Sequence, residues 1–310
     1  MGIQANSMKR TLDRLHETSW LAIFGYAYAI FTCGSLFLLV LPAPLAAALH
    51  QPLLVLPLLL LIAKDLAGAP DFARRMRRVA RPGTPWSERL GALLPPEFLA
   101  LIKLDRAMWR TVFHWLRRDT PPARPAGTVL SYTKQGAYTT VLAFAMFSVF
   151  IELPIDAAIA SLFLDHHPSA RTVLHVMSAL SALYTLAWVA SDRWLVRAAG
   201  GHVLTESALN LSVGIRAFGA IPLQAIAACE RVHEPRDKWC KRQGIALRDT
   251  ALVTPFDAPN LVLRLRPEVP VTLTCYQLEK RAPRYVFLYL DRPETLSSAL
   301  ACLRAGECAS

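Results

Sequence analysis

The residues of this 310-residue chain most able to do chemistry are ionisable side chains that interrupt apolar segments. Glu152 and Asp156 are four positions apart, so a helix places both on one face, with Pro154 between them. His175 lies in the following apolar run and His50 in an earlier one. With a rise of about 1.5 Å per residue, helices would bring His50, Asp156 and His175 to a similar depth, with Glu152 just beneath.

Three kinds of chemistry fit this polar layer. Two histidines with carboxylates suit Zn²⁺, or an iron with open positions, and such a site near the outer leaflet would serve a hydrolase or an oxygenase. A structural network of hydrogen bonds and a proton or ion pathway are the other readings. Because the chain has no HExxH or GxSxG motif, the structural network is favoured. No cofactor is predicted, and zinc or iron is expected only if the layer is a metal site.

Four apolar runs would position these side chains. The chain is 54% hydrophobic and 18% charged, whereas a typical soluble domain has about 25% charged residues. The runs are Trp20–Leu41, Leu45–Ala63, Ala137–Leu164 and Thr172–Ala190. Each can cross a hydrocarbon core of about 30 Å as a helix. The sequence therefore predicts an α-helical membrane protein with four transmembrane helices in two hairpins.

Lys and Arg residues are concentrated on one side of this plan. The formal net charge is +11, and residues 64–135 contain 14 Lys and Arg against 6 Asp and Glu. The connections 42–44 and 165–171 together contain a single Arg. The positive-inside rule then places both termini and the long loop of this multi-pass protein in the cytoplasm. Topology accounts for the charge, so nucleic acid is not expected as a partner.

The loop at 64–135 combines a basic cluster with an amphipathic pattern. The cluster consists of Arg74, Arg75, Arg77, Arg78 and Arg81. The segment Pro96–Arg118 has apolar residues at helical spacing, Trp109 among them, with cations on the other side. Cluster and helix are predicted to contact anionic lipid headgroups, through the five arginines and Trp109. Packing of this helix on the protein's own cytoplasmic domain is the alternative.

The region after Asp192 changes to alternating periodicity. Short strands are predicted at Ala208–Val213, Thr250–Thr254, Leu261–Leu265, Val271–Tyr276 and Tyr285–Leu290, with a short edge-like piece at Ala220–Gln224. A helix is predicted at Glu294–Leu303. Several short strands and one C-terminal helix predict a small β-sandwich or open barrel.

The opening of this region, His202–Leu211 followed by Gly214 and Ile221–Ile226, resembles bacterial PH-like domains. The closing segment Asp291–Glu294, which leads into the helix, is similar too. The resemblance implies a small, mostly-β cytoplasmic PH-like domain and a role in scaffolding or protein recognition. Under that role Ile221, Leu223 and Ile226 are the expected partner contacts. Phosphoinositide binding is not carried over, because the basic signature of eukaryotic PH domains is not visible.

Four regions follow from these patterns. They are an N-terminal segment with the first hairpin (1–63), the basic loop (64–135), the second hairpin (136–191) and the PH-like domain (192–310). We expect an integral inner-membrane scaffold or adaptor, more a binding protein than an enzyme, whose domain docks a protein partner or the lipid surface. An intramembrane metal-dependent enzyme that uses His50, Glu152, Asp156 and His175 is the alternative, and an ion or proton pathway is the third hypothesis.

Overall fold

The computed structural model of this chain describes residues 15, 18–80, 83, 85–120, 123, 125–166, 168–199 and 201–305. The chain forms two compact units, Met1–Ala100 and Leu101–Ser310. The first is helical throughout its described part, and the second combines a helical hairpin with β-sheets.

Two long apolar helices dominate the first unit. The helices that begin in this unit are α1 (Trp20–Val40), α2 (Ala43–Val79), α3 (Trp86–Leu93) and α4 (Pro96–Leu116). Ser19 caps α1, because its hydroxyl accepts the backbone N–H of Ala22 at 3.2 Å. Gly34 allows α1 and α2 to approach closely, since a Cβ at this position would lie 2.5 Å from Cδ2 of Leu53.

Helix α2 extends well beyond the apolar run that predicts it. The sequence predicts a run that ends at Ala63 and a basic loop beyond it, but the helix continues to Val79. It also continues through Pro52 and Pro57, which are tolerated more readily in membrane helices than in soluble ones. The predicted arginine cluster therefore begins on the last turns of α2, at Arg74.

Three helices among the described residues are long and apolar enough to cross a membrane. They are Ala43–Arg77 of α2, Tyr138–Phe163 (α5) and Pro168–Arg197, which belongs to α6 (Pro168–Ala199). An 18-residue window in each has a mean hydropathy of 2.1, 1.9 and 1.6, respectively. Helix α1 contains a shorter apolar stretch, Ala22–Ser35. By length and composition, these helices mark the chain as a membrane protein.

In the second unit, α5 and α6 pack together as a hairpin with an apolar exterior. Large side chains such as Phe144, Phe150 and Leu162 project from α5 and are about 70% exposed, at 71%, 67% and 76%. Val176 and Leu180 of α6 are also exposed. A water-facing helix pair would bury such residues, so this surface suits contact with lipid chains.

Two β-sheets form the rest of the second unit. The strands of the first sheet, in spatial order, are β1 (Thr128–Leu130), β2 (His202–Leu204), β3 (Ala208–Val213), β4 (Ala217–Pro222), β8 (Thr272–Cys275) and β9 (Leu278–Arg281). The order in the second sheet is β5 (Ile226–Arg231), β7 (Leu261–Leu265), β10 (Tyr285–Leu288) and β6 (Thr250–Val253). All neighbours are antiparallel except β10 and β6. Helices α7 (Arg236–Gln243) and α8 (Pro293–Ala305) complete the unit.

One hydrophobic core holds both sheets and α8. In β3, alternate residues are buried, because successive side chains of a strand point to opposite faces. Leu209 from the first sheet, Leu263 and Leu288 from the second, and Leu296 from α8 belong to the same buried cluster. The predicted C-terminal β domain is therefore present.

Strand β4 includes the first part of the edge-like piece predicted at Ala220–Gln224. The strand lies between β3 and β8 in the six-stranded sheet, where residues 217–219 pair with both β3 and β8 and residues 220–222 pair with β3. Strand β1 forms one edge of that sheet, although it precedes the hairpin in the chain, and it pairs with β2 just after the hairpin. The hairpin α5–α6 is thus inserted between two neighbouring strands.

Candidate functional site

Glu152 and Asp156 lie on α5 and each carboxylate faces a serine of α6. The hydroxyl of Ser178 donates to Asp156, and that of Ser181 donates to Glu152 at 3.3 Å. Such pairs satisfy polar groups inside a membrane segment and hold neighbouring helices together. The hydrogen-bond donors to these carboxylates are serines rather than the histidines that the sequence suggests.

The two histidines of the predicted polar layer are exposed. His175 lies on α6, and His50 lies on α2 in the first unit. Among the described residues, no group of three or more His, Cys, Asp and Glu side chains has the arrangement needed to hold a metal ion. The structure therefore does not assemble the predicted ligand set within the part of the chain that it describes.

The predicted lipid-contact arginines differ in their surroundings. Arg74 is exposed and forms an ion pair with Asp71. Arg75 is half-buried, and its Nη1 donates to the carbonyl of Leu94 at 3.1 Å. Arg77 is exposed on α2. The side chain of Arg78 and the whole of Arg81 lie outside the described residues.

Within the second unit, the amphipathic segment of α4 packs on the protein and also keeps an exposed apolar face. Met108 and Val112 are buried with Ala187 of α6 and Ile215, which follows β3, and Trp109 packs against the same cluster. This is the packing on the protein's own domain that the sequence leaves open. The exposed large hydrophobic residues of the same segment are Leu101, Ile102, Phe113, Trp115 and Leu116.

Two of the three predicted partner contacts are buried in the structure. Ile221 is buried in β4, and Ile226 is buried at the start of β5. Leu223 is partly buried and packs against the same core. Ile221 lies on the inward face of its sheet, since it pairs with Leu209 of β3, which is buried as well.

The most concentrated buried chemistry in the second unit is an ion pair that joins α6 to the β domain. Arg216, in the turn after β3, donates from Nη2 to both carboxylate oxygens of Asp192, at 3.2 and 3.0 Å. The side chains are 5% and 0% exposed. Tyr138, the first residue of α5, donates its hydroxyl to the same carboxylate at 2.7 Å. Three separate segments of the chain thus meet at one charge pair.

The guanidinium of Arg216 has two further partners. Its Nη1 donates to the carbonyl of Pro255 at 2.8 Å. Its Cζ lies 4.2 Å from the ring centroid of Phe256, which is a cation–π geometry. A buried pair is expensive to break because one partner is left uncompensated, by about 3–5 kcal/mol. These contacts make the Asp192–Arg216 pair a strong constraint on how the hairpin and the domain meet.

Gly214 is required where the pair approaches the backbone. Its φ of +52° is left-handed, and a Cβ there would lie 2.4 Å from Oδ1 of Asp192. Only glycine at this position lets the backbone of the turn lie this close to the carboxylate of Asp192.

Two buried rings continue from Tyr138, with Tyr132 next to it and His202 next to Tyr132. Nδ1 of His202 accepts the backbone N–H of Ser212 at 3.0 Å, so the neutral ring carries its proton on Nε2. Burial lowers the pKa of His202 to about 4. The ring of Tyr132 lies 5.1 Å from that of His202 and 6.0 Å from that of Tyr138. Burial also raises the pKa of Tyr132, so both side chains are neutral at pH 7.

Two carboxylates of the β domain fix the segment that enters α5. Asp291 accepts the hydroxyl of Ser131 at 2.6 Å and the backbone N–H groups of Lys134 and Gln135, both at 2.9 Å. Burial raises the pKa of Asp291, but these hydrogen bonds outweigh it, and the net pKa is lowered. The entry into α5 and the exit from α6 are therefore both held by the domain.

A second carboxylate, Asp257, acts at the start of α5. Its Oδ1 accepts the backbone N–H of Ala137, the N-cap residue of α5, at 2.7 Å. This contact satisfies one of the N–H groups that have no partner within the helix, and it places a negative charge at the positive end of the helix dipole.

The sequence contains only weak signals for this coupling site. Asp192 follows an apolar run directly, and Arg216 stands alone between Ile215 and Ala217. An isolated charge among apolar neighbours indicates a buried partner, but spacing does not identify that partner. The arrangement connects both helices of the hairpin to the turn that follows β3. No family model, curated protein or solved structure matches the chain.

Proposed function

We propose that this chain is a scaffold or adaptor of the bacterial inner membrane with no catalytic role of its own. In this proposal four helices cross the membrane as two hairpins, and both termini are cytoplasmic. The β domain is PH-like and binds a protein partner at the membrane surface. The supporting observation is the coupling site, in which Asp192, Arg216 and Tyr138 join both helices of the second hairpin to the domain.

The coupling site holds the β domain in a fixed orientation relative to the second hairpin. Helix α6 ends at Ala199 and β2 begins at His202, so the connection is short. On the other side of the hairpin, β1 pairs with β2, and Asp257 and Asp291 hold the segment between β1 and α5. A domain fixed at both ends of a hairpin keeps one orientation to the membrane. A fixed orientation favours recognition of a partner that is itself membrane-bound.

The outward face of the six-stranded sheet is the contact surface that we propose in place of the buried isoleucines. Phe218 of β4 is 44% exposed and pairs with Ser212 on one side and Thr274 on the other. Cross-strand partners share a face of the sheet. Glu279 and Arg281 of β9 form an exposed ion pair at 2.9 Å next to this row. Balanced charge around an aromatic side chain favours a protein surface over anionic lipid.

Site-specific photo-crosslinking in native membranes tests this proposal. The full-length protein carries a photoreactive amino acid in place of Phe218 or, as a control, in place of Leu247, which is 45% exposed. We expect a discrete crosslinked protein at position 218, absent at 247. That product should fade when Thr274→Arg is added, since the pair Phe218–Thr274 lies within the surface.

Two results would contradict the proposal. One is the same crosslinked products at both positions, which would indicate random collision. The other is labelling of lipid alone at position 218, which would mean that this face of the sheet lies against the bilayer and recognises no protein.

A further inference from the structure

A cavity of about 260 Å³ lies between the two helices of the second hairpin, at the end nearest the β domain. The first turns of α5 form one wall, through residues such as Tyr138 and Leu142, and the last turns of α6 form the other, through Val189 and Val196. It is much larger than the ~30 Å³ that a water molecule occupies in the liquid. The cavity therefore has room for a small group of atoms rather than a single solvent molecule.

Positive charge and hydroxyl groups surround its polar part. Arg193 and Arg197 both line the cavity, and their spacing of four places them one turn apart on the same face of α6. Thr133 and Thr139 line it as well, and no carboxylate does so among the described residues. The nearby carboxylate of Asp192 is already paired with Arg216. The lining of the cavity thus contains two guanidinium groups, those of Arg193 and Arg197.

Its remaining lining is apolar. Leu142, Met146, Val189 and Val196 contribute hydrocarbon surface. Ala143 also lines the cavity, and the adjacent Phe144 is 71% exposed on the outer surface of α5. A ligand that fits is amphiphilic, with an anionic head at the arginines and hydrocarbon against the helices.

We propose that this cavity binds an anionic phospholipid of the surrounding membrane, with its phosphate held by Arg193 and Arg197. Guanidinium groups bind phosphate oxygens in a two-pronged geometry, and basic pockets between membrane helices are a recurring type of lipid site. The ligand lies against Tyr138, whose hydroxyl donates to Asp192. This proposal requires that the hairpin be embedded in a membrane, and it is independent of the scaffold function.

Native mass spectrometry of the full-length protein in detergent measures this binding. The probes are phosphatidylglycerol and phosphatidylcholine of matched chain length, titrated separately. We expect the wild-type protein to prefer phosphatidylglycerol by at least tenfold. A basic side chain near anionic lipid contributes about fivefold, so Arg193→Gln with Arg197→Gln should weaken phosphatidylglycerol binding by about 25-fold.

Arg171→Gln is the matched control. It removes the same charge from the opposite end of α6, where Arg171 is exposed and pairs with Asp165 at 3.4 Å. We expect less than a twofold change. Ala143→Trp fills the cavity and keeps both arginines, so it should also weaken phosphatidylglycerol binding.

Three outcomes would overturn the proposal. The first is equal affinity of the wild-type protein for the two lipids. The second is an equal loss in Arg171→Gln and in the Arg193 and Arg197 double variant, which would indicate a general charge effect. The third is displacement of phosphatidylglycerol by an equal concentration of glycerol phosphate, which would identify a site for a soluble phosphate compound instead.

Discussion

Replacing Arg216 by Gln removes one partner of the buried ion pair and leaves the other in place. Asp192 then retains only the hydroxyl of Tyr138 as a described side-chain donor, because both of its contacts at 3.0 and 3.2 Å come from Nη2 of Arg216. The carboxylate is fully buried and cannot recover hydration without opening the structure. The Pro255 carbonyl also loses its donor at 2.8 Å.

The expected loss of stability follows from this geometry. Breaking a buried pair by removing one partner costs about 3–5 kcal/mol. For a unit of this size, 1 kcal/mol shifts the unfolding midpoint by about 2–4 °C, so Arg216→Gln should lower it by about 6–20 °C. Asp192→Asn should cause a comparable loss, since it leaves the guanidinium buried without a counter-charge. The double variant removes both charges and should lose less than the sum of the two single variants.

Thermal unfolding of the detergent-purified protein, followed by tryptophan fluorescence, measures these midpoints. Arg281→Gln is the control, because Arg281 and Glu279 form a pair of similar length, 2.9 Å, with side chains that are 81% and 60% exposed. Exposed pairs contribute about 0–1 kcal/mol, so the control should shift the midpoint by less than about 4 °C. If Arg216→Gln shifts the midpoint no more than Arg281→Gln, or if the two single losses add fully in the double variant, Asp192 and Arg216 do not form a stabilising buried pair.

The other predictions concern pH and the backbone. Because burial lowers the pKa of His202 to about 4, the unfolded chain binds a proton below about pH 6.5 that the folded chain does not. The free energy of unfolding should therefore decrease as the pH falls from about 6.5 to 4. In His202→Gln the unfolding midpoint should depend less on pH over this range. An unchanged pH dependence in the variant would contradict the burial of the His202 ring. The pKa of Asp291 is lowered in the folded state. Asp291→Asn should therefore be less stable than wild type at pH 7, and the difference should close as the pH falls through the lowered pKa of the folded state. Gly214→Ala should destabilise far more than Gly244→Ala, because both have positive φ but only Gly214 lacks space for a Cβ; equal midpoints for the two variants would refute that steric argument.

The elements of this fold with a strong local pattern are predictable from sequence. Strands Ala208–Val213 and Leu261–Leu265 are predicted with the bounds that the structure gives them. The apolar runs locate the membrane helices, because about 20 uncharged residues have few alternatives to a helix in lipid. Strand β1 is missed since Thr128–Leu130 is only three residues long and is defined by pairing across the hairpin.

The chemistry of the site is less predictable because it depends on long-range partners. The sequence places Glu152 and Asp156 on one helix face, but it does not identify Ser178 and Ser181 as the residues opposite them. Ile221 is apolar in a short strand, and the sequence alone does not show which face of the sheet it occupies. In the structure it belongs to the core cluster that includes Leu263 and Leu288 of the second sheet.

The proposed function depends on the orientation of the second hairpin in the membrane. It requires the β domain to lie in the cytoplasm and the connection 165–171 to lie outside. Single variants Arg171→Cys and Arg248→Cys, both at exposed positions, are treated with a membrane-impermeant maleimide in intact spheroplasts and after permeabilisation. The wild-type chain, with its own six cysteines, provides the background. We expect Arg171→Cys to be labelled in intact spheroplasts and Arg248→Cys to be labelled only after permeabilisation. Labelling of Arg248→Cys from outside would contradict this orientation.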